Sequence, residues 1–295
     1  MKPFGYRAPT SLQEALALLD NRFLRVRPLA GGTDLLVQLR SGRVKIDILV
    51  DIKRISETKN LSYHPMEGLT IGAAVPCYRL YEDRQIQNLY PALADSASLI
   101  GGVAVQGRAT IGGNVCNSAP SGDFLPTLIV LGASCLIRKL RGERFVPVEQ
   151  FCTGPGSNVL ERGELLVSLH VPPPGPNSGA RYLRFIPRGE MDIAVVGVGA
   201  RVDLTDDLSK IVSARIALGA VEPTPILVRE AGDFLAGKVP SEEVFRQAAF
   251  LAQEAARPIT DMRGTIAYRR RLVKILIQRA LQSAVDRGRK NRKGD

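Results

Sequence analysis

Residues 107–133, GRATIGGNVCNSAPSGDFLPTLIVLGA, limit what this chain can fold into more than any other stretch. A glycine pair, Gly112 and Gly113, is followed by small and hydroxyl-bearing residues, Asn114, Asn117, Ser118 and Ser121. Asp123 then stands where it can start the apolar segment 124–131. Such a stretch has little core to offer. It offers backbone instead, because glycine takes positive φ without steric cost and lets another molecule approach the main chain. Successive exposed N–H groups then make an anion-binding concavity. A second stretch of this kind lies near the N-terminus. Segment 25–30 reads as a strand, runs into Ala30-Gly31-Gly32-Thr33-Asp34, and is followed by a helix over 35–40 closed by Gly42. A strand, glycine turn and helix in that order aim N–H groups at whatever lies in front of the turn. With a strand expected over 45–52, this makes a small α/β lobe of about fifty residues.

The remaining chain reads as alternating elements. Ser11-Leu12-Gln13-Glu14 has the spacing of a capping box ahead of a short helix. A strand is expected at 69–73, helical turns at 77–83 and a helix at 91–100. A hairpin follows about Arg141-Gly142, joining 134–140 to 144–148, and then a strand at 164–171. The proline-rich run 172–179 marks a domain boundary. Beyond it, 181–186, 193–204 and 211–220 read as three strands of an antiparallel sheet. A second capping box, at Ser241-Glu242-Glu243-Val244, opens a helix over 241–257 that stops at Pro258. A longer helix over 261–285 follows, and 287–295 reads as a solvated basic tail. The division expected is thus 1–175, with subdomains of about 1–58 and 59–175, then 176–286 and the tail.

Composition narrows the function. With 45% hydrophobic and 23% charged residues the chain is an ordinary globular protein. Lys and Arg number 40 against 29 Asp and Glu, a net charge of +11, which suits either nucleic acid or acidic, phosphate-bearing partners. Aromatics at 5% and no Trp leave few platforms for stacking bases, so nucleic acid is disfavoured. Lys2, Arg7 and Glu14 interrupt any leader-like apolar run, and 124–137 is too short to span a bilayer, so a cytoplasmic location with no membrane span is expected. Cys77, Cys116, Cys135 and Cys152 are dispersed without a C-x-x-C and are expected as buried free thiols.

No catalytic constellation stands out. His64 and His170 are the two histidines, each in or near a strand with no evident partner. There is no G-x-S-x-G and no metal-spaced His/Cys cluster. The glycine turns match neither G-x-G-x-x-G nor G-x-x-x-x-G-K-[ST]. Together the two turns are suited to gripping the two phosphates of a dinucleotide, and the chain reads as a carrier for a cofactor that brings its own chemistry.

Ala30-Gly31-Gly32-Thr33-Asp34-Leu35 and Thr110-Ile111-Gly112-Gly113-Asn114, with Ser118 and Asp123 after them, resemble the two FAD-binding loops of the flavoprotein (medium) subunits of molybdenum hydroxylases. This is the family of carbon monoxide dehydrogenase and xanthine dehydrogenase. Tyr182-x-Arg184, Arg188-x-x-x-Asp192-Ile193-Ala194 and Asp261-x-Arg263…Tyr268-Arg269-Arg270 are similar to that family's C-terminal segments, so the resemblance covers almost the whole chain. It implies an α+β fold. A vanillyl-alcohol-oxidase (PCMH)-type FAD domain of two α+β subdomains would precede a domain with a three-stranded antiparallel sheet and helices.

The resemblance also implies contacts with FAD. Leu29 to Leu35 (Leu29, Ala30, Gly31, Gly32, Thr33, Asp34, Leu35) would wrap the pyrophosphate by backbone N–H, and Thr110, Gly113 and Asn114 would complete that cradle. Asp123 would accept a hydrogen bond from a cofactor hydroxyl. Ile100 and Gly101 would pass near the flavin or ribityl chain, Leu166 would give an apolar face, and Ser118 belongs to the same set. Arg184 stands where relatives often have Lys, and Ile193 replaces an aromatic found in some members. A subgroup with an extra iron–sulfur cluster carries it in a cysteine-bearing insertion; here the loops after Gly113 are short, and no cluster is expected. The implied role is an oxidoreductase subunit that relays electrons. It would take them from 2Fe–2S clusters of a small partner, fed by a molybdopterin-binding large subunit, to an external acceptor. The assembly would be a dimer of heterotrimers. A free-standing FAD-dependent oxidoreductase on the same fold is the alternative.

Overall fold

The computed structural model describes residues 3–189 and 191–291, and the chain opens with a small parallel sheet. Strands β1 (Gly5–Arg7), β2 (Val26–Leu29) and β3 (Ile48–Asp51) pair in the order β1-β3-β2. Helix α1 (Leu12–Leu19) precedes β2, and α2 (Leu35–Arg40) joins β2 to β3. Ser11 caps α1 by accepting from the Glu14 N–H at 3.2 Å. Gly42, at φ +76°, ends α2.

After α3 (Ser56–Lys59), a five-stranded antiparallel sheet takes over. Its strands are β4 (Leu61–His64), β5 (Gly68–Gly72), β6 (Ser134–Arg138), β7 (Glu143–Pro147) and, beyond a small ribbon of β8 (Cys152–Gly154) and β9 (Ser157–Asn158), β10 (Leu165–Val171). The order is β4-β5-β10-β6-β7. Between β5 and β6 the chain winds through α4 (Cys77–Glu82), α5 (Arg84–Leu89), α6 (Pro91–Leu99), α7 (Val103–Gln106), α8 (Ile111–Asn117) and α9 (Phe124–Val130). The first subdomain is not self-contained. Leu16, Leu19, Val50 and Ile52 share a core with Ala74, Leu165 and Val167 of this sheet.

Two expectations for residues 107–133 are overturned. The stretch supplies core: Ile111, Val115, Phe124, Leu125, Leu128 and Val130 are each fully buried. Its glycine pair is not a positive-φ turn but the second and third residues of α8. Gly112 is required by close packing, since a Cβ there would lie 2.4 Å from the Ala73 side chain.

The C-terminal domain is an antiparallel sheet of β11 (Ser178–Phe185), β12 (Val196–Leu204) and β13 (Ile211–Gly219), in sequence order. A short fourth strand, β14 (Ile226–Leu227), extends its edge beyond the three foreseen. Helices α10 (Arg229–Leu235), α11 (Glu242–Ala255) and α12 (Ile266–Asn291) cover one face, where Val196, Val198, Ala200 and Val202 meet Val273, Ile277, Ala280 and Leu281. Ser241 accepts from the Val244 N–H, but valine has no carboxylate to return the bond, so only half of the expected capping box forms. The last helix begins at Ile266 rather than 261, because Asp261 turns back onto Gly264 and receives Arg269 at 2.7 Å.

The other face of that sheet carries Gly197, Gly199 and Gly219 and lies on α9. Cβ atoms at Gly199 and Gly219 would lie 2.6 Å from the Pro126 carbonyl oxygen and 3.0 Å from the Pro126 ring. Strand periodicity of two places these glycines opposite the valines of β12. Ionic contacts surround the seam. Asp95 on α6 accepts from Arg181, Arg287 and the Tyr182 N–H, and Glu149 accepts from Arg215 and Arg229. Arg287 is therefore bound rather than part of a solvated tail; residues 292–295 lie outside the described residues.

Replacing Gly199 with Val forces α9 off the sheet and is expected to cost about 1–3 kcal/mol by overpacking. Gly107, at φ −66° with open space around it, is the control. Gly107→Ala should be neutral or stabilising by up to about 1 kcal/mol. Thermal unfolding of the two variants checks both.

Candidate functional site

A long cleft of about 980 Å³, including its open mouth, runs between the parallel sheet and the five-stranded sheet. One wall is the turn after β2, from Leu29 through Leu35; the other is α8 with Thr110, Gly113 and Asn114; Leu166 and Ile100 line it as well. The two walls touch at glycine. A Cβ at Gly31 would sit 2.1 Å from the Arg108 carbonyl oxygen, so only glycine lets the first loop close against the segment entering α8. Gln38 on α2 donates to Asn117 at the end of α8 at 3.2 Å, tying the walls across the cleft.

The first loop presents free backbone donors to the cleft. The N–H groups of Gly31, Gly32, Thr33 and Asp34 have no partner among the described residues, and Gly31 is buried. A buried backbone donor is almost always satisfied, so the Gly31 N–H, with those of half-buried Gly32 and Thr33 and exposed Asp34 beside it, fits a ligand with acceptor oxygens. Gly32, at φ +81°, gives the turn its shape. Lys53 holds the loop from behind, donating to the Ala30 carbonyl at 3.0 Å while paired with Asp51 at 2.8 Å.

The second loop does not complete the cradle with backbone donors. Its N–H groups are already used: Gly112 donates to Ala73, Gly113 to the Thr110 hydroxyl, and Asn114 to the Thr110 carbonyl. Thr110 is an N-cap here, and Gly113 and Asn114 contribute surface.

Four residues of the expected set lie outside this cleft. Ser118 ends α8 at φ +48° and donates to the Val115 carbonyl, a structural role. Gly101, at φ +57°, follows α6 and packs on Val105. Asp123 and Arg184 face each other across the seam between the domains, Nη1 to Oδ2 at 2.9 Å, with side chains 10% and 5% exposed. The Tyr182 hydroxyl donates to the other Asp123 oxygen at 2.8 Å. Burial pushes the Asp123 carboxyl up, while Arg184 and Tyr182 pull it down; the Tyr182 phenol is driven well above its ordinary value by burial. Removing one partner of such a pair typically costs about 3–5 kcal/mol. The Arg184 Nε is buried and has no partner among the described residues.

Sequence reasoning missed Tyr182 as an Asp123 partner, and missed Arg27, Gln38, Ala73, Cys116 and Leu165 as lining residues. Of these missed residues, Gln38 alone carried a signal in the sequence, since it follows Asp34 by one helical turn. Neither histidine lines the cleft.

The cysteines are free, with Cys77 and Cys135 buried and Cys116 and Cys152 half-buried. Burial pushes the thiols of Cys77 and Cys116 up to about 12, and those of Cys135 and Cys152 up as well. At pH 8 they stay protonated and weakly nucleophilic. Iodoacetamide at pH 8 should modify the native chain far more slowly than the denatured one, which should yield all four thiols; mass spectrometry of timed samples checks this.

Similarity to known proteins extends over nearly the whole chain. Residues 2–174 match the model described as the FAD binding domain in molybdopterin dehydrogenase, and 181–284 match the CO dehydrogenase flavoprotein C-terminal domain. The chain is 32% identical to the xanthine dehydrogenase FAD-binding subunit of Escherichia coli over 95% of its length and 96% of that protein. It is 29% identical to the carbon monoxide dehydrogenase medium chain of Afipia carboxidovorans, covering 97% and 98%. It is also similar to a chain of the carbon monoxide dehydrogenase structure from Hydrogenophaga pseudoflava, with TM-score 0.91, 30% identity, and coverage of 97% and 99%. Quinoline 2-oxidoreductase of Pseudomonas putida gives TM-score 0.88, 32% identity and coverage of 97% and 99%. The two family models together span nearly the whole chain, and this chain is a member of the FAD-binding flavoprotein subunits of molybdenum-hydroxylase-type dehydrogenases.

Proposed function

We propose that this chain is the FAD-carrying electron-transfer subunit of a molybdenum hydroxylase complex. It would receive electrons from 2Fe–2S clusters of a small partner subunit and pass them to an external acceptor. A molybdopterin-binding large subunit completes the assembly, a cytoplasmic dimer of heterotrimers. Within the chain, 1–175 form the FAD-binding unit and 176–286 the C-terminal domain.

The observation that carries this reading is the row of unpartnered N–H groups from Gly31 to Asp34, placed in a cleft with apolar lining from Ile100 and Leu166. Backbone donors suit a pyrophosphate, and the apolar lining suits flat rings. Leu29, Ala30 and Leu35 shape the first wall; Thr110, Gly113 and Asn114 shape the second. FAD, when bound, supplies the redox chemistry, accepting electrons singly or in pairs. The protein's part is to hold it and shield it. Net charge favours docking of acidic partners, at +11 for the chain. A free-standing oxidoreductase needs its own acid–base residues beside the cofactor, and the cleft lining contains no histidine and no pair of carboxylates.

The test is an absorption spectrum of the purified chain before and after incubation with FAD and desalting. Flavin bands that survive desalting are the expected result. A folded chain that stays colourless with FAD supplied overturns the reading. Gly31→Ala, which pushes the first loop off the Arg108 carbonyl, should reduce retained FAD at least tenfold.

A further inference from the structure

We propose that the chain carries a second anion site outside the cleft: a basic hollow between α3, α4 and the segment entering α8, which takes the diphosphate group of a small molecule. The inference stands apart from the FAD reading. Of the residues that line the hollow, only Thr110 also lines the cleft.

The hollow measures about 590 Å³, including its open mouth. Its cations come from four separate stretches of chain: Lys53 after β3, Lys59 at the end of α3, Arg79 on α4 and Arg108 before α8. Main-chain hydrogen bonds tie three of these stretches together. The Ala74 N–H donates to the Thr58 carbonyl at 2.8 Å, the Ile111 N–H to the Val75 carbonyl at 3.3 Å, and the Cys77 N–H to the Ala109 carbonyl at 2.8 Å. These bonds sit within a few residues of Lys59, Arg79 and Arg108, so the backbone fixes where each of those side chains begins. Lys53 is anchored separately, donating to the Ala30 carbonyl at 3.0 Å. Pro76 and Tyr78 add apolar wall.

The charges there are unbalanced. No carboxylate lines the hollow, and Lys53 alone is paired, with Asp51 at 2.8 Å. The side chains of Lys59, Arg79 and Arg108 have no hydrogen-bond or ion-pair partner among the described residues. Elsewhere the fold matches arginine with carboxylate, as at Arg144, Arg181, Arg215 and Arg287. Cations gathered about one concavity focus a positive potential in it and draw an anion inward. Two guanidinium forks and an ammonium offer more donors than one carboxylate can accept. Phosphate oxygens match such forks, and a diphosphate has enough of them to meet several cations at once. An acidic protein surface would call for a face of cations; these ring a hollow, which suits a small ligand. The Tyr78 ring gives the remainder of that ligand a surface to lie on.

The experiment is titration calorimetry of the full chain, in whatever complex it purifies with, against pyrophosphate and ADP at fixed ionic strength, with and without saturating FAD. Both probes should bind, should weaken as salt rises, and should keep their affinity when FAD is present. Lys59→Gln/Arg79→Gln should weaken both about tenfold or more, because a hydrogen bond to a charged group is worth at least that factor. Lys59 and Arg79 are exposed and unpaired, so this variant keeps its fold. The control Arg271→Gln/Arg279→Gln removes the same charge from exposed positions on α12 and should leave the affinity as it was. ADP binding tighter than pyrophosphate assigns the diphosphate to a nucleotide, and the reverse order assigns it to the free anion.

Absence of binding by either probe overturns the proposal, and so does equal weakening by the control, which would reduce the effect to net charge. Loss of binding when FAD saturates the chain overturns it too, since the probe then sits in the cleft. Binding of polyglutamate in place of both diphosphates also overturns it, because the hollow is then a docking face for an acidic protein. Failure of the FAD reading looks different: the chain then stays colourless with FAD supplied, while pyrophosphate still binds and still responds to Lys59→Gln/Arg79→Gln.

Discussion

The structure depends on close approach of main chain to main chain, and glycine makes it possible at three seams. Gly31 brings the first loop against the Arg108 carbonyl, Gly112 brings α8 against Ala73, and Gly199 brings β12 against Pro126. Each site would place a Cβ under 3 Å from a neighbouring atom. The first two seams join the parallel sheet, α8 and the five-stranded sheet, and thereby form the cleft. The third fixes the C-terminal sheet on the helix that follows it. Interiors are packed to crystal-like density, so a shift of even a methylene at such a seam is felt by everything resting on it.

Arginine secures what glycine brings together. Asp95 gathers Arg181 from β11 and Arg287 from α12; Glu149 gathers Arg215 and Arg229; Asp123 holds Arg184. Burying charged pairs of this kind carries a desolvation cost that offsets much of their attraction, so they are weak evidence for net stability. They also change the meaning of the chain's basic balance. Much of the arginine is engaged within the molecule, which weakens the idea of a continuous basic surface for nucleic acid and leaves a smaller excess for acidic partners.

The cleft divides its tasks by element. The turn after β2 provides donors because its residues leave an extended strand and enter a short helix, so four successive N–H groups lack ladder partners. The α8 wall looks alike in sequence but spends its donors on Ala73 and Thr110 and so presents shape. The cleft lining holds no histidine and no pair of carboxylates, as suits a site whose cofactor brings its own chemistry.

The sequence by itself determined the elements and the class of ligand. Periodicity located most strands and helices, the proline-rich run near 172–179 separated two compositions, and Gly31-Gly32 between a strand and a helix announced a backbone cradle. These are local properties: φ/ψ freedom, capping and alternation are set by neighbours in the chain. Tertiary structure alone decided what the same letters do in each place. Gly112-Gly113 has the same composition as the first turn, yet it lies in a helix because Ala73 presses on it and Thr110 caps it. Arg287 reads as a solvated charge until Asp95, far away in the chain, meets it. Asp123 reads as a lone acid at a helix start until β11 brings Tyr182 and Arg184 to its two oxygens. A hydrogen bond or a steric clearance is a relation between residues distant in sequence, and no local pattern encodes the partner.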